Sequence, residues 1–515
     1  MPPKDAFLQE INQGYQSKGE FIELGAAIYN MEPIPGTLIR IPLKTLNRHG
    51  LIAGATGTGK TKTLQGFAEA LSDKSIPVLM MDIKGDLSGM AQAGQSNPKI
   101  DERHAKIGFP WQSKAYPVEL LSLSLENGAR LRATVSEFGP VLLSKILELS
   151  DAQAGIMSLI FKYCDDQQYP LLDLKDLKKI LQYITNEGKS EIEKEYGKIS
   201  SASTGTILRK IIEIEQQGAD LFFGERSFEV EDLLRINENG QGYISLIRVV
   251  DIQNRPKLFS TFMLCLLAEI YQTFPEEGDL DQPKLIIMID EAHLIFKEAS
   301  RALLEQIEAI IKLIRSKGVG IFFCTQNPTD IPASILGQLG LKIQHALRAF
   351  TANDRKMIKL TAQNYPLSEY YQTEELLTSL GIGEAVVTAL NEKGAPTPLA
   401  ATLLRTPQSR MDVLSQEEIE KLCARSSLVK KYNETIDRES AYEILTDKLG
   451  KAAKATEKEQ RQQSSSTQRH PTKRMEKSAV ETVMNSPIAK QVGRTLVREL
   501  ARGFLGVLGI GGRRR

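Results

Sequence analysis

The sequence predicts an α/β fold on a mostly parallel sheet, with a helical insertion and a helical C-terminal tail. Three observations predict it. The apolar strand Leu51-Ile52-Ala53 runs into a glycine-rich turn and then a helix, all within 51–72. Two later segments, Leu285-Ile286-Ile287-Met288-Ile289 and Val319-Gly320-Ile321-Phe322-Phe323-Cys324, carry no polar residue, so their sheet is covered on both faces. Around them strand-like and amphipathic helical runs alternate, as the connections of a parallel sheet require.

At 515 residues the chain exceeds one hydrophobic core, and roughly 100–200 residues per domain gives two to four folding units. Residues 1–50 read as short strands, Phe21–Tyr29 and Leu38–Ile41, added to the edge of the core. The first part of that core is 51–136, including the strand Val78–Asp82. Over 137–236 apolar residues recur at spacings of three and four, as in Ile207-Leu208-Ile211-Ile212, which predicts an insertion of four or five helices. The second part of the core is 237–410, with strands at 242–247, 285–289 and 319–324 and a last one at 383–390. A helical extension follows over 411–450. The Lys-, Gln- and Ser-rich run 451–486 reads as a disordered linker. In 487–515, Ile488, Val492, Leu496, Leu500, Phe504 and Leu508 line one face of a helix, with Lys490, Arg494, Arg498 and Arg502 on another. Such a basic amphipathic helix suits peripheral membrane contact, nucleic-acid phosphates or another subunit, or packs on its own domain.

Composition excludes several classes. Cys164, Cys265, Cys324 and Cys423 are far apart with no C-x-x-C pair. That argues against a disulfide scaffold or a standard zinc site and fits a reducing, cytoplasmic setting. The polar opening Pro2-Pro3-Lys4-Asp5 is unlike a signal peptide, and no apolar run approaches the ~20 residues of a membrane helix. With a net charge of +1, contact with nucleic acid has to come from a local patch.

Gly54-Ala55-Thr56-Gly57-Thr58-Gly59-Lys60-Thr61 matches the phosphate-loop pattern G-x-x-x-x-G-K-[ST] in full, between a strand and a helix. Its glycines let main-chain amides wrap phosphate oxygens. Lys60 supplies a charge to the β- and γ-phosphates of ATP, and Thr61 a hydroxyl for Mg²⁺. Asp290 and Glu291 end the apolar strand at 289. Asp290 suits the Mg²⁺ shell and Glu291 suits a base for the attacking water, although acidic residues at a strand end also cap helices. Gln326, just past a buried strand, either senses the γ-phosphate or closes a turn. Asp82 either reaches the metal shell or pairs locally, for example with Lys84. His293 and Trp111 read more simply as packed side chains than as functional ones. Asp290-Glu291-Ala292-His293 spells the name of a helicase box, but the downstream motifs of those helicases are absent from the sequence.

The order of parts resembles the HerA/FtsK class of hexameric motor ATPases, and within it the HerA-like bacterial proteins of YjgR type. The resemblance rests on Gly54–Thr61, Ile289-Asp290-Glu291-Ala292-His293, Arg315-Ser316-Lys317-Gly318-Val319-Gly320, Thr325-Gln326-Asn327-Pro328 and Gln344-His345-Ala346-Leu347-Arg348. It implies a RecA-like P-loop NTPase core with the acidic strand next but one to the phosphate-loop strand. It also implies a homo-oligomeric, hexameric ring with ATP between subunits and an arginine supplied by the neighbour, Arg315 first and Arg348 second. DNA translocation or remodelling is the implied function. A motor acting on polypeptide or envelope assembly, and a regulatory nucleotide switch, are the alternatives. Archaeal HerA proteins dock a nuclease on a larger N-terminal barrel, whereas about fifty residues precede the phosphate loop here, so a nuclease partner is not carried over.

Overall fold

The computed structural model describes residues 3–465, apart from 124–125, 250–255, 279, 297–300, 435 and 437. It divides into two compact units, the first made of residues up to Arg132 with Arg226–Glu434, the second of Ala133–Glu225 with the described residues after 435.

The first unit is organised by a twelve-stranded sheet. Its strands are β1 Phe21–Tyr29, β2 Glu32–Pro42, β3 Gly50–Ala53, β4 Val78–Asp82, β5 Val118–Ser122 and β6 Ala129–Arg130, then β7 Ile244–Arg248, β8 Leu285–Ile289, β9 Val319–Thr325, β10 Leu341–His345, β11 Glu384–Thr388 and β12 Ala400–Leu404. Their order is β2-β1-β12-β11-β10-β3-β9-β8-β4-β7-β5-β6. From β10 to β6 every pair is parallel, and from β10 to β2 every pair is antiparallel. The sheet is therefore mostly parallel, and β8 lies next but one to β3, with β9 between them. The two N-terminal strands sit at one edge. Pro33 and Pro35 fall in β2, the outermost strand, where a missing amide costs no ladder hydrogen bond.

Burial explains the central strands. Every residue of β8 is at most 1% exposed, and each such side chain contributes about 1.5–3 kcal/mol over its exposed state. The helix Lys60–Ser72 packs on this core through Phe67, whose ring centroid lies 5.0 Å from that of Phe322 in β9. β11 is not the last strand, because β12 follows it and pairs with both β11 and β1. Its sequence, Ala-Ala-Thr-Leu-Leu, has weak strand propensity and takes its conformation from those two neighbours.

The second unit is helical. Its helices are Val135–Ile146, Asp151–Gln167, Leu174–Thr185, Lys189–Glu195, Ser201–Gln216 and Ala441–Ser465. The first breaks at Gly139 (φ 66°), ahead of Pro140. The 3₁₀ turn Val230–Leu234, inside the insertion span read from sequence, belongs to the first unit. Ala441 and Leu445 are buried, and Tyr442 N donates to Asp176 Oδ1 at 2.9 Å. This last helix continues to Ser465, through residues 451–465, where composition suggests disorder. Its Ala, Lys, Glu and Gln residues are strong helix formers, and a helix already nucleated at Ala441 extends through them without an apolar face. The remaining linker and the basic helix over 487–515 lie outside the described residues. Among the described residues no helix is long and apolar enough to cross a membrane.

Candidate nucleotide site

The cradle forms where β3 stops. Gly54 N donates to Thr325 O (3.3 Å), Ala55 N to Ala346 O (2.8 Å), and Gly383 N to Thr58 O (2.9 Å). The loop is thus tied to the carboxyl ends of β9 and β10 and to the start of β11. Gly54 is required for two reasons: its φ is +150°, and a Cβ there would stand 2.5 Å from Cβ of His345. Gly59 (φ +108°) turns the chain into the helix that Lys60 opens, with first-turn amides facing the loop. Lys60 is buried, and its Nζ donates to the carbonyls of Gly54 (2.6 Å) and Ala55 (3.1 Å). Burial draws its ammonium below the ordinary value, against the pull of Glu291 and Asp290 among others.

Asp290 and Glu291 follow β8 at the same end of the sheet. Ala53 aligns with Thr325 and Phe323 with Ile289, so two strand spacings, roughly 10 Å, separate the acidic strand from the phosphate-loop strand. Asp290 is 2% exposed; its Oδ1 accepts from Glu291 N at 2.9 Å and its Oδ2 has no hydrogen-bond partner. Burial raises its carboxyl above the ordinary value, with Lys84 opposing. Glu291 has φ +46°, a left-handed conformation that costs a non-glycine residue about 1–2 kcal/mol. Its Oε1 is 2.5 Å from Lys84 Nζ, and its Oε2 is 3.3 Å from His293 Nδ1. Burial acts to raise this carboxyl, but Lys84, His293 and Lys60 together hold it below the ordinary value.

The other sequence candidates sort by position. Asp82 is fully buried and accepts from the amides of Gly85 (2.8 Å), Asp86 (3.1 Å) and Leu87 (3.3 Å), so it closes the turn after β4. Burial, then the charge of Asp86, pushes its carboxyl up to about 7. The partner of Lys84 is Glu291. Gln326 is exposed beside the loop, and the turn there is held instead by Asp330, whose Oδ2 accepts from Thr325 Oγ1 at 2.9 Å. Arg315 precedes β9, at the sheet end opposite the cradle, and lies near His49, which leads into β3. β9 has seven residues, so Arg315 stands about 20 Å or more from its own chain's loop. Arg348 is exposed beyond β10, at the cradle end. Trp111 Nε1 donates to Pro407 O at 2.9 Å, which fits a packed side chain.

Sequence reasoning gave no role in the site to His345 or Arg103. His345 is fully buried beneath Gly54, 3.0 Å from Thr63 Oγ1, and burial followed by the charge of Lys60 lowers it to about 4. Arg103 braces the loop's neighbour, donating to Gly383 O (3.1 Å) and Ile382 O (2.8 Å). A polar pair, Gln344-His345, ending an otherwise alternating strand was the available signal for the first. The second had none.

The donor set fits Mg²⁺. Asp290 offers a buried carboxylate oxygen without a partner, Thr61 in the first helical turn offers a hydroxyl, and oxygen-only ligation is what this hard cation takes. Among the described residues no three His, Cys, Asp or Glu gather as a metal cluster, which Mg²⁺ bound largely by water and phosphate does not need.

A sheet of this order, with the cradle at the carboxyl end of β3 and the acidic strand two positions away, defines a P-loop ATPase. Within that class the chain belongs to the helicase HerA-like C-terminal family, which matches residues 29–515. It is similar to the DNA double-strand break repair helicase HerA of Sulfolobus acidocaldarius, 22% identical over 358 residues, covering 68% of this chain and 64% of the relative. It is also similar to the DNA import protein CedB of the same organism, 25% identical over 362 residues, covering 69% of this chain and 52% of CedB. The chain thus spans less than two thirds of either relative. Among solved structures, the plasmid coupling protein TrwB with the non-hydrolysable ATP analogue ADPNP shares the fold, with a TM-score of 0.52 and 13% identity over 79% of this chain and 95% of TrwB's.

Proposed function

We propose that the chain hydrolyses ATP with Mg²⁺ as one subunit of a ring motor that translocates along or remodels DNA. The observation that carries this reading is the buried acidic pair ending β8, two strands from the phosphate cradle. Main-chain amides of Gly54–Thr61 bind the phosphates, and Lys60 exchanges its carbonyl partners for β- and γ-phosphate oxygens. Thr61 and Asp290 would hold Mg²⁺, which when bound supplies charge neutralisation at those oxygens. Glu291 takes the proton of the attacking water, and Gln326, exposed at the end of β9, orients that water or senses the γ-phosphate. DNA as substrate is supported by family membership and by the likeness to HerA and CedB, and a cytoplasmic setting is the one that goes with it.

The test is ATP turnover with and without single- and double-stranded DNA, together with a mass measurement in Mg²⁺ and nucleotide. Stimulation by DNA and a mass of about six chains are expected. Turnover unresponsive to DNA overturns the DNA-motor reading, and binding to anionic liposomes through 487–515 would then favour a motor for polypeptide or envelope assembly.

The placement of Arg315 far from its own cradle supports a role in a neighbour's site. Arg315→Ala is expected to keep nucleotide affinity and to lose turnover by on the order of 10³-fold. Mixing it with a Lys60→Ala chain should restore part of the activity, because some junctions then pair an intact cradle with an intact arginine. Full activity of Arg315→Ala alone would transfer the role to Arg348.

A further inference from the structure

The contact between Lys84 and Glu291 joins residues 207 positions apart and is not explained by packing. Lys84 lies in the turn after β4, which Asp82 fixes through three main-chain amides. β4 is the immediate neighbour of β8, with Met81 aligned to Ile289, so the turn stands beside the acidic strand end. The Lys84 side chain is 46% exposed, while that of Glu291 is 8% exposed. The lysine therefore adds little to the core, yet it is the one hydrogen-bond donor to the Glu291 carboxylate among the described residues. Oε2 has no hydrogen-bond partner, and His293 Nδ1 faces it at 3.3 Å. A carboxylate held by one firm donor at one oxygen has its plane fixed, and its second oxygen, buried against His293 Nδ1, keeps lone-pair capacity to accept from a water. The left-handed main chain at Glu291, φ +46°, is a further sign that this side chain's direction is imposed by its surroundings.

We propose that Lys84 is a positioning residue for hydrolysis: by anchoring Oε1 of Glu291 it aims Oε2 at the attacking water. This rests on the reading of Glu291 as the base. In the step itself an O–H bond of water breaks and its proton passes to Oε2, the water oxygen bonds to the γ-phosphorus, and the bond from that phosphorus to the bridging oxygen breaks, leaving ADP. Lys84 touches none of the reacting atoms.

The experiment measures steady-state ATP hydrolysis and equilibrium binding of a fluorescent ATP analogue by the full chain, for Lys84→Met and Lys84→Arg, with Lys84→Met also combined with Glu291→Gln. Lys84→Met is expected to lower kcat about tenfold, a part of the 10²–10⁴ that general-base catalysis supplies, with KM and nucleotide affinity within about twofold. Lys84→Arg keeps the charge and should retain most of the turnover. In the Glu291→Gln background the added loss should be under about twofold, because two residues acting through one step are not additive. Unchanged kcat in Lys84→Met, a raised KM with kcat intact, equal losses in the Arg and Met variants, or the same tenfold loss on top of Glu291→Gln would each overturn the positioning role. Full activity of Glu291→Gln sinks the base assignment itself, whereas a dead Glu291→Gln beside a fully active Lys84→Met sinks only the role of Lys84.

Discussion

Lys60→Ala is expected to reduce ATP turnover by on the order of 10³-fold and to weaken nucleotide binding with it. Preorganised donors aimed at developing phosphate charge are among the largest contributors to such chemistry, and removing one costs about 10²–10³ before the loss of a full charge is counted. Lys60 is buried with its ammonium on the Gly54 and Ala55 carbonyls, so the change also frees these two carbonyls at the start of the cradle. Alanine is the strongest helix former, and the helix Lys60–Ser72 and its Phe67 contact should persist. Thermal unfolding within a few degrees of the parent, alongside the loss of turnover, separates a site effect from a folding effect. Hydrolysis at the parental rate would remove Gly54–Thr61 from the reaction.

Glu291→Gln has the second-largest expected effect and a different signature. Glutamine keeps the volume and the main-chain requirement at φ +46° but cannot accept the water's proton. Turnover should fall by about 10²–10⁴ while nucleotide affinity stays near that of the parent. The neutral side chain also leaves Lys84 without its anionic partner. That lysine is nearly half exposed and can turn to water, so the loss of stability should stay below the roughly 3–5 kcal/mol of stranding a buried charge. Rapid-mixing kinetics with radiolabelled ATP would show slow cleavage of bound nucleotide. Cleavage at the parental rate would place the base elsewhere.

The core of this site was legible because two signals are dense in the sequence. Eight consecutive residues specify the cradle, and five apolar residues followed by Asp290 and Glu291 specify a buried strand with a charged end. That these lie two strands apart came from the family resemblance; no local pattern encodes strand order across a helical insertion. β10 carries a weak strand signal, because Leu341-Lys342-Ile343-Gln344-His345 has only two apolar residues where the equally short β8 has five. β5 and β12 are likewise five residues each and owe their conformation to neighbours. The Lys84–Glu291 pair was illegible, since Lys84 has a nearer carboxylate in sequence, Asp82, whose oxygens are taken by amides. Residues 451–465 show the opposite error: composition signals the lack of a core to bury, but helix propensity needs none.

The two borders of the sheet bear on how copies of this chain can associate. At one border β2 carries prolines that withhold amides, and at the other β6 is two residues long. The short β6 offers no row of free donors and acceptors long enough to template another strand, and in β2 Pro33 and Pro35 interrupt that row. Continuing one sheet into the next is thereby disfavoured, which leaves side chains on loops and helices to join one copy to another. Such joints can slide or loosen while each subunit's backbone ladder stays whole.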